Sequence, residues 1–240
     1  MGEATRHRQD NPEARAAMLP EGYSAVAHMI RTAILASAIA VVALWLASRA
    51  SAMDWLLLPA FFVIANGIEW LVHKNPMHRP MPPRFMYKNH ALIHHRAFLH
   101  SSMPIGNTRE LGLVMMPGYT MLGLFVLASP VALAAGWWRG RGAAGIFYLA
   151  AALYFLTYES LHALYHMPEP FLRRVGLGGP LFQRMRSHHR HHHRLDRMAH
   201  VNFNVTFPLM DWLLVTKEAE TAAPASAVEP HEPEPQEASA

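Results

Sequence analysis

The stretch "WLLLPAFFVIANGIEWLV", Trp55 to Val72, carries one acid, Glu69, and is followed at once by "HKNPMH", His73 to His78. At 1.5 Å per residue such a helix covers most of a hydrocarbon core of about 30 Å. An apolar span that ends in histidines decides how the remaining chain is read, because three further stretches have the same apolar character. "TAILASAIAVVALWLAS", Thr32 to Ser48, lies between Arg31 and Arg49. Leu111 to Trp138 is free of charge, and Pro117, Pro130 and Gly136 imply helix over about two-thirds of it and a turn over the rest. "GAAGIFYLAAALYFLTY", Gly142 to Tyr158, is the last.

Four apolar helices in a chain of 240 residues leave too little polar sequence to wrap them as the core of a soluble domain. With 52% hydrophobic and only 16% charged residues, the expected solvent is a membrane. The chain has no Cys, which excludes disulfides, zinc-thiolate sites, iron-sulfur clusters and thiol nucleophiles. The net charge of +4 suits a lipid surface. No run interleaves aromatics with basic residues, so no nucleic-acid partner is expected.

Counting crossings places the histidine groups together. His73 and His78 follow the second span, His90 to His100 precede the third, and His162, His166 and the run from His188 follow the fourth, so all emerge on one face. That face also holds Lys74, Arg79, Arg84, Lys88, Arg96, Arg109, Arg173, Arg174, Arg184, Arg186, Arg190, Arg194 and Arg197, against Arg139 and Arg141 alone between spans three and four. The positive-inside rule makes it cytoplasmic. The expected architecture is an all-α membrane protein of four transmembrane helices under a cytoplasmic helical cap that carries a histidine-rich di-metal site. The membrane-embedded domain is expected over 25–217. Residues 1–24 are polar, without the apolar core of a cleaved signal peptide, and 218–240 are rich in Pro, Ala and Glu, so both are expected to be disordered. Richness in Ala and Arg points to a bacterial inner membrane, and an endoplasmic reticulum protein is compatible with the same topology.

The boxes are "HKNPMH", "HALIHH" (His90 to His95), "HALYH" (His162 to His166) and "HRHHH" (His189 to His193). Residues i, i+3 and i+4 share a helical face, so His189, His192 and His193 are expected to point at one centre, as are His90 with His94 and His162 with His166. His188, His191 and His192 have the same spacing, which leaves the register of that box open between the two triplets. His73 and His78, five apart with Pro76 between them, share no α-helical face and are expected to act from a helix end and the loop after it. Ten imidazoles (His73, His78, His90, His94, His95, His162, His166, His189, His192 and His193) are too many for one ion, and two fit better. Neutral imidazole suits iron, copper, nickel and zinc alike. Glu159, three residues before His162, is expected to orient a ligand histidine, with direct ligation as the second choice. Asp196 and Asn202 are candidate hydrogen-bond acceptors behind the ligands. His100 and His200 are candidates for a place behind the ligands or beside the substrate.

These boxes, with "YESLHALYH" and the ending "VNFNVTFPLMDWLL", resemble the fatty acid hydroxylase and sterol desaturase superfamily over roughly Trp70 to Val215. One departure is that three residues, where many members have two, separate His90 from the pair His94 and His95. The resemblance implies two iron ions, which zinc can replace, and a monooxygenase that hydroxylates or desaturates a lipid C–H bond such as that of a fatty-acyl chain or sterol, using O2 and external electrons. No cytochrome b5 domain precedes the membrane part, so it also implies a separate donor, cytochrome b5-like or of the ferredoxin and reductase type. A lipid would enter sideways along Phe61, Phe62, Tyr154 and Phe155, with Arg84, Lys88, Asn107 or Arg109 as candidates to hold its headgroup. The rival readings are a carotenoid hydroxylase on the same metals, a non-enzymatic membrane metal-binding or transport protein, and an inactive interaction protein.

Overall fold

The computed structural model describes residues 12–218. Every regular element there is helical: α1 (Pro12–Ala16), α2 (Ala25–Ala47), α3 (Leu58–Val72), α4 (Gly118–Arg139), α5 (Arg141–Tyr165), α6 (Glu169–Arg174), α7 (Pro180–His192) and α8 (Leu209–Leu213), with short helical turns between them. Four helical stretches, Ala25–Ala47, Asp54–Met77, Thr108–Arg139 and Arg141–Tyr165, are long and apolar enough to cross a membrane, and the chain is an integral membrane protein. Their outer faces keep large apolar side chains exposed, as at Val41, Trp45, Val126, Leu133 and Trp137, which is the surface that lipid covers. α2 begins seven residues before the uncharged run at Thr32 because Ser24 caps it, accepting from the backbone N–H of Ala27 at 3.2 Å. The uncharged run from Leu111 breaks at Met115 to Pro117, as its prolines imply, and continues as α4.

α5 is the centre of the bundle and packs against α2, α3 and α4. Lipid supplies little hydrophobic push between membrane helices, so close packing of small residues has to hold them together. A Cβ on Gly145 would lie 2.3 Å from the Ala47 backbone nitrogen, and one on Gly142 would lie 2.5 Å from Ala50 Cα. The two glycines therefore set how near α2 comes to α5.

Histidines gather at the ends of α3 and α5 and in the cap laid across them. Residues 12–24, part of the segment expected to be disordered, are ordered and pack on this cap. Arg15 lies 3.0 Å from the Glu110 carboxylate with both side chains buried, and its guanidinium reaches the carbonyls of Ala97, Ser102 and Pro104. One buried guanidinium with several acceptors outweighs the polar composition that suggested disorder. For 1–11 and 219–240 that expectation falls outside the described residues.

Gly145→Ala is expected to lower stability by about 1–3 kcal/mol, the range for overpacking a tight contact. Gly67→Ala, in α3 with nothing near its added Cβ, is expected to be neutral or stabilising. Thermal unfolding of both variants in detergent tests this pair.

Candidate metal centre

Beyond Val72 the helix of α3 does not stop at Pro76. It widens into a π-helical turn over His73–Met77, and a second π-helical segment runs over Lys88–His94. The wider turn brings a residue and its fifth successor to the same side, which an ordinary α-helix does not. His73 meets His78 in this way with rings stacked 5.1 Å apart, and His90 meets His95, Nε2 to Nε2, at 3.1 Å. The expected pairing of His90 with His94 is corrected by the same geometry; His73 and His78 do stand at a helix end and in the turn that follows it, as expected, although Pro76 does not break the helix between them.

Ten buried histidines divide five and five. One group is His73, His78, His90, His95 and His192; the other is His94, His162, His166, His189 and His193. Within each group one ring nitrogen per residue lies within 4.8 Å of all the others. His162 and His166 stay together as their i, i+4 spacing implies. The expected triplet is divided, because α7 runs between the groups and sends His189 and His193 to one side and His192 to the other. His94 and His95, adjacent in the chain, also part.

In five of the ten rings the hydrogen bonds fix which nitrogen is bare. His73, His94, His166, His192 and His193 donate Nδ1–H to the carbonyls of Phe203, Leu113, Met103, Val201 and Phe98 respectively. A carbonyl can only accept, so each neutral ring has its Nδ1 protonated and an unshared pair on Nε2. Those Nε2 atoms face one another: His73 and His192 stand 3.0 Å apart, and His73 and His90 2.8 Å. In the other group His94 stands 3.2 Å from His162, and His189 is 3.3 Å from His166 and 3.1 Å from His193. Two unshared pairs at such a distance repel unless a cation lies between them. Nitrogens each about 2.1 Å from one ion are separated by about 3.0 Å at a right angle and about 3.4 Å at the tetrahedral angle. The donor type, the spacing and the burial fit one metal ion per group.

Burial keeps the rings neutral. It pushes His78, His90, His95, His166, His189 and His193 well below the usual imidazole range, and neighbouring imidazoles add to the effect. His94 and His192 are lowered to about 4, again chiefly by burial.

In the last box it is His189, His192 and His193 whose rings lie in the two groups. His188 instead bonds the Asp211 carboxylate at 3.1 Å, and His191 lies 3.8 Å from Glu218 on the outer side. Among the described residues Glu159 bonds no histidine: both carboxylate oxygens accept from the Met116 N–H, at 3.2 and 3.3 Å. Asp196 pairs with Arg194 on the surface. Asn202 donates to the His188 backbone carbonyl and accepts from Glu218 N–H, with its backbone at φ +58°. His100 stacks on His191 outside both groups, and His200 is exposed. Of the headgroup candidates, Arg109 is taken up by the carbonyls of Pro20, Glu21 and Tyr23, and Asn107 by Glu110. Phe61 packs edge-on against Phe147 in the bundle core.

Two acids that spacing did not single out hold the loop behind the first group. Glu69 accepts from the N–H groups of Val205 and Thr206, from the Thr206 hydroxyl at 2.7 Å, from the Asn204 amide at 3.1 Å and from Tyr154. Asp211 accepts from the N–H groups of Phe203 and Asn204 and from the Thr216 hydroxyl. Burial opposes its ionisation, but hydrogen bonds from His188, Thr216 and Asn204 prevail and hold its carboxyl at about 2. Between them the two carboxylates position the carbonyls of Val201 and Phe203 on which His192 and His73 lean.

Fold and site together define a four-span membrane protein with two buried polyhistidine centres. Residues 58–216, well over half of the chain, match the family model described as fatty acid hydroxylase, and the chain belongs to that family. No curated protein and no solved structure matches it.

Acid should destabilise the metal-free protein. A ring lowered from 6.5 to about 4 in the fold binds a proton more readily when unfolded. Its stabilising contribution is therefore complete above about pH 6.5 and is lost as pH falls towards 4. The unfolding midpoint of metal-free protein in detergent is expected to be clearly lower at about pH 5.5 than at about pH 8. Equal midpoints would mean that these rings do not sit neutral and dry.

Proposed function

We propose that this protein is a non-haem di-iron monooxygenase that hydroxylates, or desaturates, a C–H bond of a membrane lipid, taking O2 and electrons from a separate donor. The observation that carries the reading is the convergence of one ring nitrogen from each of ten buried histidines on two points, five to each. Five nitrogens per group exceed the four at which structural zinc closes, which favours iron, with zinc as a substitute. When bound, the two irons supply activation of dioxygen and oxidation of the C–H bond.

The chain's own residues hold the ions, orient the lipid and keep water out. A cavity of about 710 Å3 has both His90 and His94 in its wall, one from each group, beside the apolar side chains of Phe85, Met86, Ile93 and Leu113. A smaller one of about 80 Å3 between α3, α4 and α5 reaches His73 and includes Phe155 and Tyr154. Both cavities set apolar side chains beside the histidines, which supports approach of a lipid chain from the bundle side. Against a transporter stands the position of the histidines at helix ends rather than in broken helices at mid-bilayer.

The excess of basic residues on the histidine side supports a cytoplasmic cap, and the richness in Ala and Arg supports a bacterial inner membrane. Arg79, Arg96, Arg174 and Arg190 are exposed there and suit docking of an acidic redox partner, cytochrome b5-like or of the ferredoxin type.

Elemental analysis after anaerobic loading with ferrous iron tests the reading. Two irons per chain are expected in the wild type. His192→Ala and His193→Ala, which strike different groups, are each expected to lose about one. No retained iron, or a single ion indifferent to both substitutions, would sink the di-iron reading.

A further inference from the structure

The first two turns of α2 lie outside the matched family region and bring an unusual face to the 710 Å3 cavity. Ser24, His28, Arg31 and Thr32 all line it. Two of these are already engaged. Ser24 caps the helix; His28 accepts from the Tyr23 hydroxyl at 3.0 Å and donates to the Met116 carbonyl at 2.9 Å.

Arg31 and Thr32 are not. A threonine inside a helix commonly turns its hydroxyl back to the carbonyl four residues earlier. Thr32 does not: its side-chain oxygen is buried with no hydrogen-bond partner, in a residue only 5% exposed. A buried hydroxyl left unpaired is disfavoured unless something in the cavity pairs with it. Arg31 is exposed and has no ion pair or hydrogen bond among the described residues. It is also the one Lys or Arg in the cavity wall, which contains no Asp or Glu. Elsewhere the lining is largely apolar.

We propose that Arg31 and Thr32 form a subsite for a small oxyanion headgroup, so that the cavity selects a single-chain anionic amphiphile over a neutral one. The guanidinium supplies the charge and a planar set of donors, and the threonine hydroxyl supplies one more donor at the cavity wall. The apolar remainder of the ligand lies along Phe85, Met86 and Ile93, with His90 and His94 in the same enclosure. This assignment rests on the cavity being the substrate site of the proposed oxygenase. A carboxylate and a phosphate monoester share the required chemistry.

The test is equilibrium binding of radiolabelled hexadecanoate, hexadecyl phosphate and hexadecanol to the full-length protein as purified, in phosphatidylcholine nanodiscs, with metal content measured on the same preparation. In the wild type at least one of the two anions should bind roughly tenfold more tightly than the alcohol, the size of one charge-assisted hydrogen bond. Whichever anion binds better identifies the headgroup. Arg31→Gln should bring anion affinity down to that of the alcohol, Arg31→Lys should retain much of the preference, and Thr32→Val should weaken anion binding several-fold. Equal binding of all three probes in the wild type, or a preference that survives Arg31→Gln, would overturn the subsite and leave Arg31 as a side chain resting at the membrane boundary. Failure of the oxygenase reading is seen separately, as missing iron, whatever the binding preference.

Discussion

Everything in the cap follows from one electrostatic requirement: neutral imidazoles must hold their unshared pairs towards two common points in a place that water does not reach. Left alone, such an arrangement repels itself, and protonating the rings would be worse, since burial penalises each charge and the charges would repel one another. The fold meets the requirement by fixing tautomers. Backbone carbonyls of Phe98, Met103, Leu113, Val201 and Phe203 each take an Nδ1–H and so turn the opposite nitrogen inward.

Those carbonyls come from loops and helix ends, and the bundle serves to keep them still. α5 draws α2, α3 and α4 together through contacts that only small residues permit, and it carries His162 and His166 at its far end. Glu69, a carboxylate inside a span, is tolerable because five donors converge on it from the final loop and from Tyr154. That network joins membrane and cap into one rigid piece. Arg15 does similar work at the opposite edge, where its guanidinium gathers carbonyls from the turn that follows His95.

Much of this was legible before any coordinates. Uncharged runs marked the spans, since charge in lipid is costly enough to leave few alternatives, and the grouping of histidines past the span ends marked the chemistry. What failed did so for identifiable reasons. Pairing His90 with His94 assumed 3.6 residues per turn, and no residue in "HALIHH" announces a wider helix. Glu159 had a ligand-like spacing, yet its partner proved to be a backbone N–H, and the groups that do orient the rings are carbonyls, which every residue possesses and no motif can display. Composition also hid Arg15, because a polar segment reads as disordered until the buried acid it pairs with, Glu110, is located.

The two π-helical turns put the site at odds with its own backbone. Deleting one residue from either would let the chain relax into an ordinary α-helix, with regular hydrogen bonding and an uninterrupted rod. His78 or His95 would then rotate away from its group. Around these two stretches, then, a change that improves the local helix disarms the protein, and length is under tighter constraint than side-chain identity at the positions in between.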